Sequence, residues 1–284
     1  MAGLAAVIGG GIAYSAASAA SGEIIWLIPV FITVFLITGA GNAINDYFDA
    51  GIDAVNRPDR PIPSGRLRKE SAYKFSIVLF AGGILAAYFI GSIPFFIALF
   101  NSLLLYVYAY SLKRKVFVGN LSVSYLSGST FLFGGAAYGM KGIEATYVLF
   151  FLSMLATLAR EIVKAIEDME GDRIDGAVTL PIRIGERPSA YIASAAGLLA
   201  VLLSPLPYIT GMFNASYLLV VGIADIIFLY AVLLILNKNP SASSKYFKVA
   251  MFFALIAFIA GSFLTYTSCS YISLIIAHAK KSIQ

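Results

Sequence analysis

Asn45, Asp49 and Asp53 recur at intervals of four in the stretch NDYFDAGIDAVNRPDRPIPSGR (45–66), and Asp168 and Asp172 repeat that interval in EDMEGDRIDGAVTLP (167–181). Residues four apart on an α-helix are offset by only about 40° and stack along one face. Each set therefore predicts an acidic stripe, NxxxDxxxD and DxxxD, with Asp175 three residues beyond the second. Arg160 and Lys164 extend the second stripe backwards, which puts cations deep and carboxylates shallow on one side of that helix. Like charges at this spacing repel each other, so two such stripes call for a counter-ion. With no His or Cys nearby the ligands are carboxylate and amide oxygens, a set that suits Mg²⁺ and not zinc. Mg²⁺ uses few carboxylates and completes its octahedron with water and phosphate oxygens. A diphosphate held between two acidic walls through the metal is the chemistry these residues imply, with the interleaved bases neutralising the remaining phosphate charge.

Ten of the chain's 15 acidic residues fall in these two islands: Asp46, Asp49, Asp53 and Asp59 in the first, and Glu161, Glu167, Asp168, Glu170, Asp172 and Asp175 in the second. Solvated, capped helix ends would explain one such cluster. They do not explain two on the same side of the molecule, each followed by a basic loop containing Pro and Gly, PIPSGR at 61–66 and PIRIGER at 181–187. The likeness of the two loops hints at a loose internal repeat.

The elements that must position these stripes are apolar helices. Of 284 residues 60% are hydrophobic and 12% charged, and the mean hydropathy is +0.86, whereas about a quarter of a soluble domain is charged. Apolar stretches approaching the roughly 20 residues needed to cross a bilayer fall near 4–20, 24–45, 73–90, 93–111, 118–139, 144–167, 190–209, 215–236 and 246–268. The expected fold is an all-α, polytopic membrane protein with about nine transmembrane helices in a single domain over 1–284. A β-barrel would need alternating apolar and polar residues, and runs such as Leu198 to Leu203 do not alternate.

The net charge of +5 reads as a topology signal and not as a nucleic-acid footprint. Arg57, Arg60, Arg66, Arg68, Lys69 and Lys74 follow the second helix, and Lys113, Arg114 and Lys115 follow the fourth. Arg160, Lys164, Arg173, Arg183 and Arg187 lie at or after the end of the sixth, and Lys238, Lys245 and Lys248 fall between the eighth and ninth. If nine helices alternate, all of these lie on one side and only Lys141, Lys280 and Lys281 on the other. The excess of Lys and Arg then places that side, both islands and the amino terminus in the cytoplasm, in a multi-pass protein of the cell membrane. One cysteine, Cys269, excludes an internal disulfide, and one histidine, His278, excludes the usual zinc clusters. The stretch SAASAASG at 15–22 looks like a cleavage site but has no basic residue before its apolar run, so it is read as part of the first helix. Gly9, Gly10 and Gly11 lack the Lys and Ser/Thr of a phosphate loop. Close helix packing is expected of them, and of Gly128, Gly134, Gly135 and Gly139.

The two motifs, in this order and about 115 residues apart, with their NRPxRPIPSG and TLP loops, resemble the UbiA superfamily of intramembrane prenyltransferases over nearly the whole chain. That resemblance implies a ring of nine helices around a central cavity, open to the cytoplasm at the motifs and laterally to lipid. It also implies that Asn45, Asp49, Asp53, Asp168 and Asp172 bind Mg²⁺ and, through it, the diphosphate of an isoprenyl donor. Asp175 would belong to the metal shell or to the acceptor side, and Asp46 would brace the loop. Lys113, Arg160 and Lys164 would stabilise the departing diphosphate, while Tyr106, Tyr108 and Tyr110 are candidates to shield an allylic cation or to pack the bundle.

Within the superfamily the RPIPSGR loop and REIVKAIEDMEGD look most like the branch that makes archaeal ether lipids, by moving a geranylgeranyl group to the free hydroxyl of geranylgeranylglyceryl phosphate. A phosphate-bearing lipid acceptor needs further cations, for which Arg57, Arg60 and Arg66 are available. An aromatic acceptor, of a quinone or chlorophyll-like pathway, is the other enzymatic reading, since members of that kind carry a similar proline-rich loop. A carboxylate-dependent transporter is the reading outside the class; it would rest on Asp225, in the middle of the eighth helix, for which a hydrogen bond to a neighbouring helix is the plainer role. Members of the superfamily usually have a basic, amphipathic lead-in, whereas this chain enters apolar sequence at once with MAGLAAVIGG.

Overall fold

The computed structural model describes residues 2–16, 24–174 and 176–281, with side chains as far as Ser262 apart from Asn56. The end of the expected first helix and Asp175 lie outside the described residues. The chain runs through α1 (Ala2–Ala16), α2 (Leu27–Asn56), α3 (Lys69–Ile90), α4 (Ser92–Tyr110), α5 (Val118–Ala136), a short α6 (Gly139–Glu144) and α7 (Tyr147–Glu167). Two short helices, α8 (Met169–Ile174) and α9 (Leu180–Ile184), lead to α10 (Glu186–Leu203), a single turn α11 (Leu206–Ile209), α12 (Ala215–Leu236) and α13 (Pro240–Lys281). Among the described residues nine helices have 15 residues or more, α1 to α5, α7, α10, α12 and α13, and no strand occurs.

Six segments, covering α2, α3, α4, α10, α12 and α13, are long and apolar enough to cross a membrane. Their outer faces carry Phe35, Val78, Phe89, Leu202, Leu219 and Ile226, each at least 65% exposed; water would not tolerate such a surface, and lipid tails do. The other long helices are shorter or more polar for reasons that can be named. Helix α1 has 15 residues, α7 ends in Arg160, Glu161, Lys164 and Glu167, and α5 is rich in Gly and Ser because it is wedged between α1 and α7.

Glycine permits that wedge. A Cβ on Gly134 would meet the Ala6 carbonyl and lie 2.6 Å from the Gly10 nitrogen, one on Gly9 would lie 2.6 Å from the Phe131 oxygen, and Gly128 and Gly135 face the Phe150 and Gly142 carbonyls. Two of the expected packing glycines do otherwise: Gly11 has open space beside it, and Gly139, at φ +74°, is a turn residue.

Helix ends differ from the expected ones where proline acts. Helix α2 continues from the expected end at 45 to Asn56, so the whole first motif is helical. It stops at Arg57 (φ −147°, ψ 65°), whose conformation is restricted by Pro58. Helix α13 begins with Pro240 in its first turn, where no backbone donor is needed, and Asn239 caps it by accepting the Ala242 N–H at 3.2 Å. Lys245 and Lys248 thus belong to α13 and not to the connection in which they were expected. The two basic loops, alike in sequence, also differ in shape: 61–66 is a series of turns closed by Leu67 N–H to Pro61 O, whereas Pro181 lies in the first turn of the short α9, which Gly185 caps.

Candidate active site

The long helices enclose a cavity of about 540 Å³, within the usual range for small-molecule sites. Several contribute a face at helical spacing: Thr33, Ile37 and Thr38 then Asn42 from α2, Asn101, Leu105 and Tyr108 from α4, Ser153, Ala156 and Arg160 from α7. From the other side come Tyr217, Val221, Asp225 and Phe228 of α12 and Lys248, Met251, Phe252 and Leu255 of α13. The lining is mostly apolar, and most of its charge lies toward the end where both acidic islands sit.

Helix α2 carries its stripe to that end. Lys113 donates to Asn45 Oδ1 at 3.4 Å and contacts Asp49 Oδ1. Arg60 Nη1 bridges Asp46 Oδ1 at 3.1 Å and Asp53 Oδ2 at 2.7 Å, so Asp46 braces the loop as expected. Across the cavity mouth Arg160 donates to Glu161 Oε1 at 2.6 Å, while its buried Nε has no partner among the described residues. The Tyr108 phenol lies within electrostatic range of Asp49 on one wall and of Glu161 and Asp172 on the other. The two islands, over 100 residues apart in sequence, are therefore brought to the same end of the cavity.

The turn that bears Lys113, a 3₁₀ segment Leu112–Arg114, is held from three directions. Val178 N–H donates to the Arg114 carbonyl at 3.1 Å, which ties the loop after the second island to it. Gly119 admits it at the top of α5, because a Cβ there would lie 2.9 Å from the Leu112 oxygen. Phe117 adopts φ 61° to make the connection and packs on the core of α7, α10, α12 and α13; a non-glycine residue in that region is strained and persists only where its surroundings hold it.

An aromatic cluster fixes the phase of α2. Tyr47 and Phe48 point away from the stripe, Tyr47 against Tyr73 and Phe48 against Tyr106 and Tyr110, at centroid distances of 5.0 to 5.8 Å, and the Lys69 ammonium caps the Tyr47 ring at 4.7 Å. Of the three tyrosines on α4, Tyr108 alone faces the cavity.

The remaining sequence-predicted residues are placed differently. Asp168 ends α7 as its C-cap and keeps one helical turn with Asp172 through Asp172 N–H to Asp168 O at 2.9 Å, but the helix is interrupted there and restarts as α8. Asp172 is half-buried, whereas Lys164 and Asp168 are exposed. Arg57 is exposed in the loop, and Arg66 is turned back on it, donating to Ser64 Oγ at 3.0 Å and to the Asp59 carbonyl. Neither arginine lines the cavity. Asp225 accepts from Ser204 Oγ at 2.7 Å, beyond the end of α10, which is the interhelical bond expected of it.

The donor set fits Mg²⁺: carboxylates and one amide oxygen on the two walls, with no nitrogen or sulfur ligand. No three Asp, Glu, His or Cys side chains among the described residues close on one point. An ion held here would therefore take most of its ligands from water and phosphate oxygens.

The UbiA prenyltransferase family model matches residues 4–256. The chain belongs to the UbiA prenyltransferase family. A digeranylgeranylglyceryl phosphate synthase of Methanosarcina mazei is 58% identical over 233 residues, covering 82% of this chain and 81% of that one. A solved structure of digeranylgeranylglyceryl phosphate synthase superposes with a TM-score of 0.77 at 43% identity, over 90% of this chain and 92% of that one. A UbiA homologue from Archaeoglobus fulgidus bound to GPP and Mg²⁺ has a TM-score of 0.60 at 14% identity, covering 92% and 94%, and shares the fold. As a member of the UbiA family the chain is a multi-pass membrane prenyltransferase.

Proposed function

We propose that this protein transfers a geranylgeranyl group from geranylgeranyl diphosphate to the free hydroxyl of geranylgeranylglyceryl phosphate, forming the second ether bond of archaeal membrane lipids. The observation that carries the reading is that the two acidic islands meet at the polar end of an apolar cavity, where Lys113 contacts Asn45 and Asp49 and Val178, just after the second island, bonds to Arg114 of the same turn. The high identity to relatives named for this reaction narrows it to a lipid acceptor.

In this reading Asn45, Asp49 and Asp53 hold the donor's diphosphate from one wall and Asp168 and Asp172 from the other, and Asp175 belongs to the metal shell or to the acceptor side. Mg²⁺ supplies the positive charge that joins carboxylate to phosphate and draws electrons from the bond that breaks. Lys113, freed from Asp49, and Lys164 at the rim neutralise what remains. The C1–O bond breaks, its electron pair leaves with the diphosphate, and the allylic cation left at C1 is taken by the acceptor's hydroxyl oxygen, which then loses its proton. The ring face of Tyr108 stabilises the cation, and the apolar lining keeps water from competing with the acceptor. The basic excess on the island side orients the protein in the cell membrane with that side and the amino terminus in the cytoplasm.

Purified protein with Mg²⁺, geranylgeranyl diphosphate and geranylgeranylglyceryl phosphate should release diphosphate and form the diether. Chelation should stop the reaction, and Mg²⁺ should restore it. Turnover of an aromatic acid or quinol precursor in place of the phosphoglycerolipid would refute the acceptor assignment.

A further inference from the structure

We propose that Arg160 and Lys248 form a second anion site in the cavity wall, which binds the phosphate monoester of the acceptor lipid; the inference rests on the phosphate-bearing acceptor of the proposed function. A three-carbon glycerol keeps that phosphate close to the hydroxyl that reacts, and the hydroxyl must reach within roughly 3.5 Å of the donor's C1. The phosphate therefore settles inside the cavity, beside the diphosphate. Two anions this close repel strongly in a medium of low dielectric constant, so the second needs cations of its own.

The loop arginines cannot supply them. Arg60 is engaged by Asp46 and Asp53, Arg66 is bonded within its own loop, and neither they nor Arg57 line the cavity. Arg160 and Lys248 are the cationic side chains among the described residues that do. They come from different helices at a common depth. Arg160 lies seven residues before the end of α7 and Lys248 eight after the start of α13, which is about 10 and about 12 Å at 1.5 Å per residue. Both helix ends lie on the island side, and α13 packs against α7.

The chemistry of the two residues is complementary. Lys248 is exposed and has no carboxylate within 4 Å among the described residues, so its ammonium is free to meet an anion. Arg160 has one terminal nitrogen on Glu161, and its buried Nε lacks a partner among the described residues; an unsatisfied buried donor is costly unless something fills it. The face of α13 that continues from Lys248 through Met251, Phe252 and Leu255 offers the acceptor's chain an apolar track leading away from the phosphate.

The test uses full-length enzyme with geranylgeranylglyceryl phosphate and with the same lipid lacking its phosphate. Lys248→Met should raise KM for the phosphorylated acceptor about ten- to a hundredfold, the worth of a charge-assisted hydrogen bond, while KM for geranylgeranyl diphosphate stays within twofold. The unphosphorylated acceptor should be handled as by the wild type, and Lys248→Arg should recover most of the loss. An unchanged KM for the phosphorylated acceptor, an equal rise in donor KM, or an equal loss on both acceptors would overturn the site. A wild-type enzyme that ignores the phosphorylated acceptor would instead sink the functional reading beneath it. Because Lys248 has no ion-pair partner to orphan among the described residues, the thermal unfolding midpoint of Lys248→Met in detergent should not move.

Discussion

Lys113→Met separates two roles that the geometry gives one side chain. In the free protein the Lys113 ammonium neutralises Asp49 and also touches Asn45, and the two charged side chains are only 16% and 17% exposed. An exposed ion pair is worth at most about 1 kcal/mol, while removing one partner of a buried pair costs about 3–5 kcal/mol. A pair this sheltered lies toward the buried limit, so the variant should lose about 2–3 kcal/mol. At roughly 2 °C per kcal/mol for a chain of this size, its midpoint in detergent should fall by about 5 °C. Most of that loss should vanish in an Asp49→Asn background, where no carboxylate is left uncompensated, and the cycle of four proteins isolates the pair. During turnover the same cation faces the departing diphosphate, and removing one preorganised donor costs about 10²–10³ in kcat. Lys113→Arg keeps the charge and should recover stability, but its planar fork does not reproduce the ammonium's geometry, so the rate should recover only in part. Wild-type stability together with turnover within threefold of wild type in Lys113→Met would refute both assignments.

Asp172→Asn should lower product formation at least 100-fold while the protein still elutes as a folded monodisperse species and loses the thermal shift that Mg²⁺ and diphosphate give the wild type; a retained shift would remove Asp172 from the diphosphate wall. Gly134→Ala drives a methyl into the Ala6 carbonyl and should cost about 1–3 kcal/mol, read as a midpoint several degrees lower. Gly11→Ala, with open space at its Cβ, is the matched control and should be neutral or slightly stabilising.

Much of the fold is legible because lipid simplifies the rules. Every long helix has an apolar stretch near the expected place, since a backbone in hydrocarbon has to satisfy its own polar groups. Where the expected ends were off, the cause was a residue that acts on backbone and not on hydropathy. Polar residues from Asn45 onward make α2 look finished, yet they keep its helical spacing until Pro58 restricts Arg57. Pro240 starts α13 six residues before its apolar run. The same effect separates PIPSGR from PIRIGER, where similar composition gives turns in one loop and a short helix in the other.

The site was legible where its residues lie on one helix and obscure where it depends on phase and on partners distant in sequence. The four-residue interval in α2 sufficed to place Asn45, Asp49 and Asp53 on one face. It did not show that Arg60 and Lys113 would occupy those carboxylates in the free protein, because the second contact joins residues more than 60 positions apart. Tyr106, Tyr108 and Tyr110 looked equivalent, but a step of two residues turns a helix by about 200°, so one of them faces the cavity while its neighbours pack on Phe48. Lys248 was masked by its company. Counted with Lys238 and Lys245 it is one more charge in a basic connection, and only the helical phase set from Pro240, shared with Met251, Phe252 and Leu255, turns it into the cavity. A charge that marks topology in the sequence can therefore be the charge that meets substrate in the fold, and what distinguishes the two uses is the side of the helix on which it emerges.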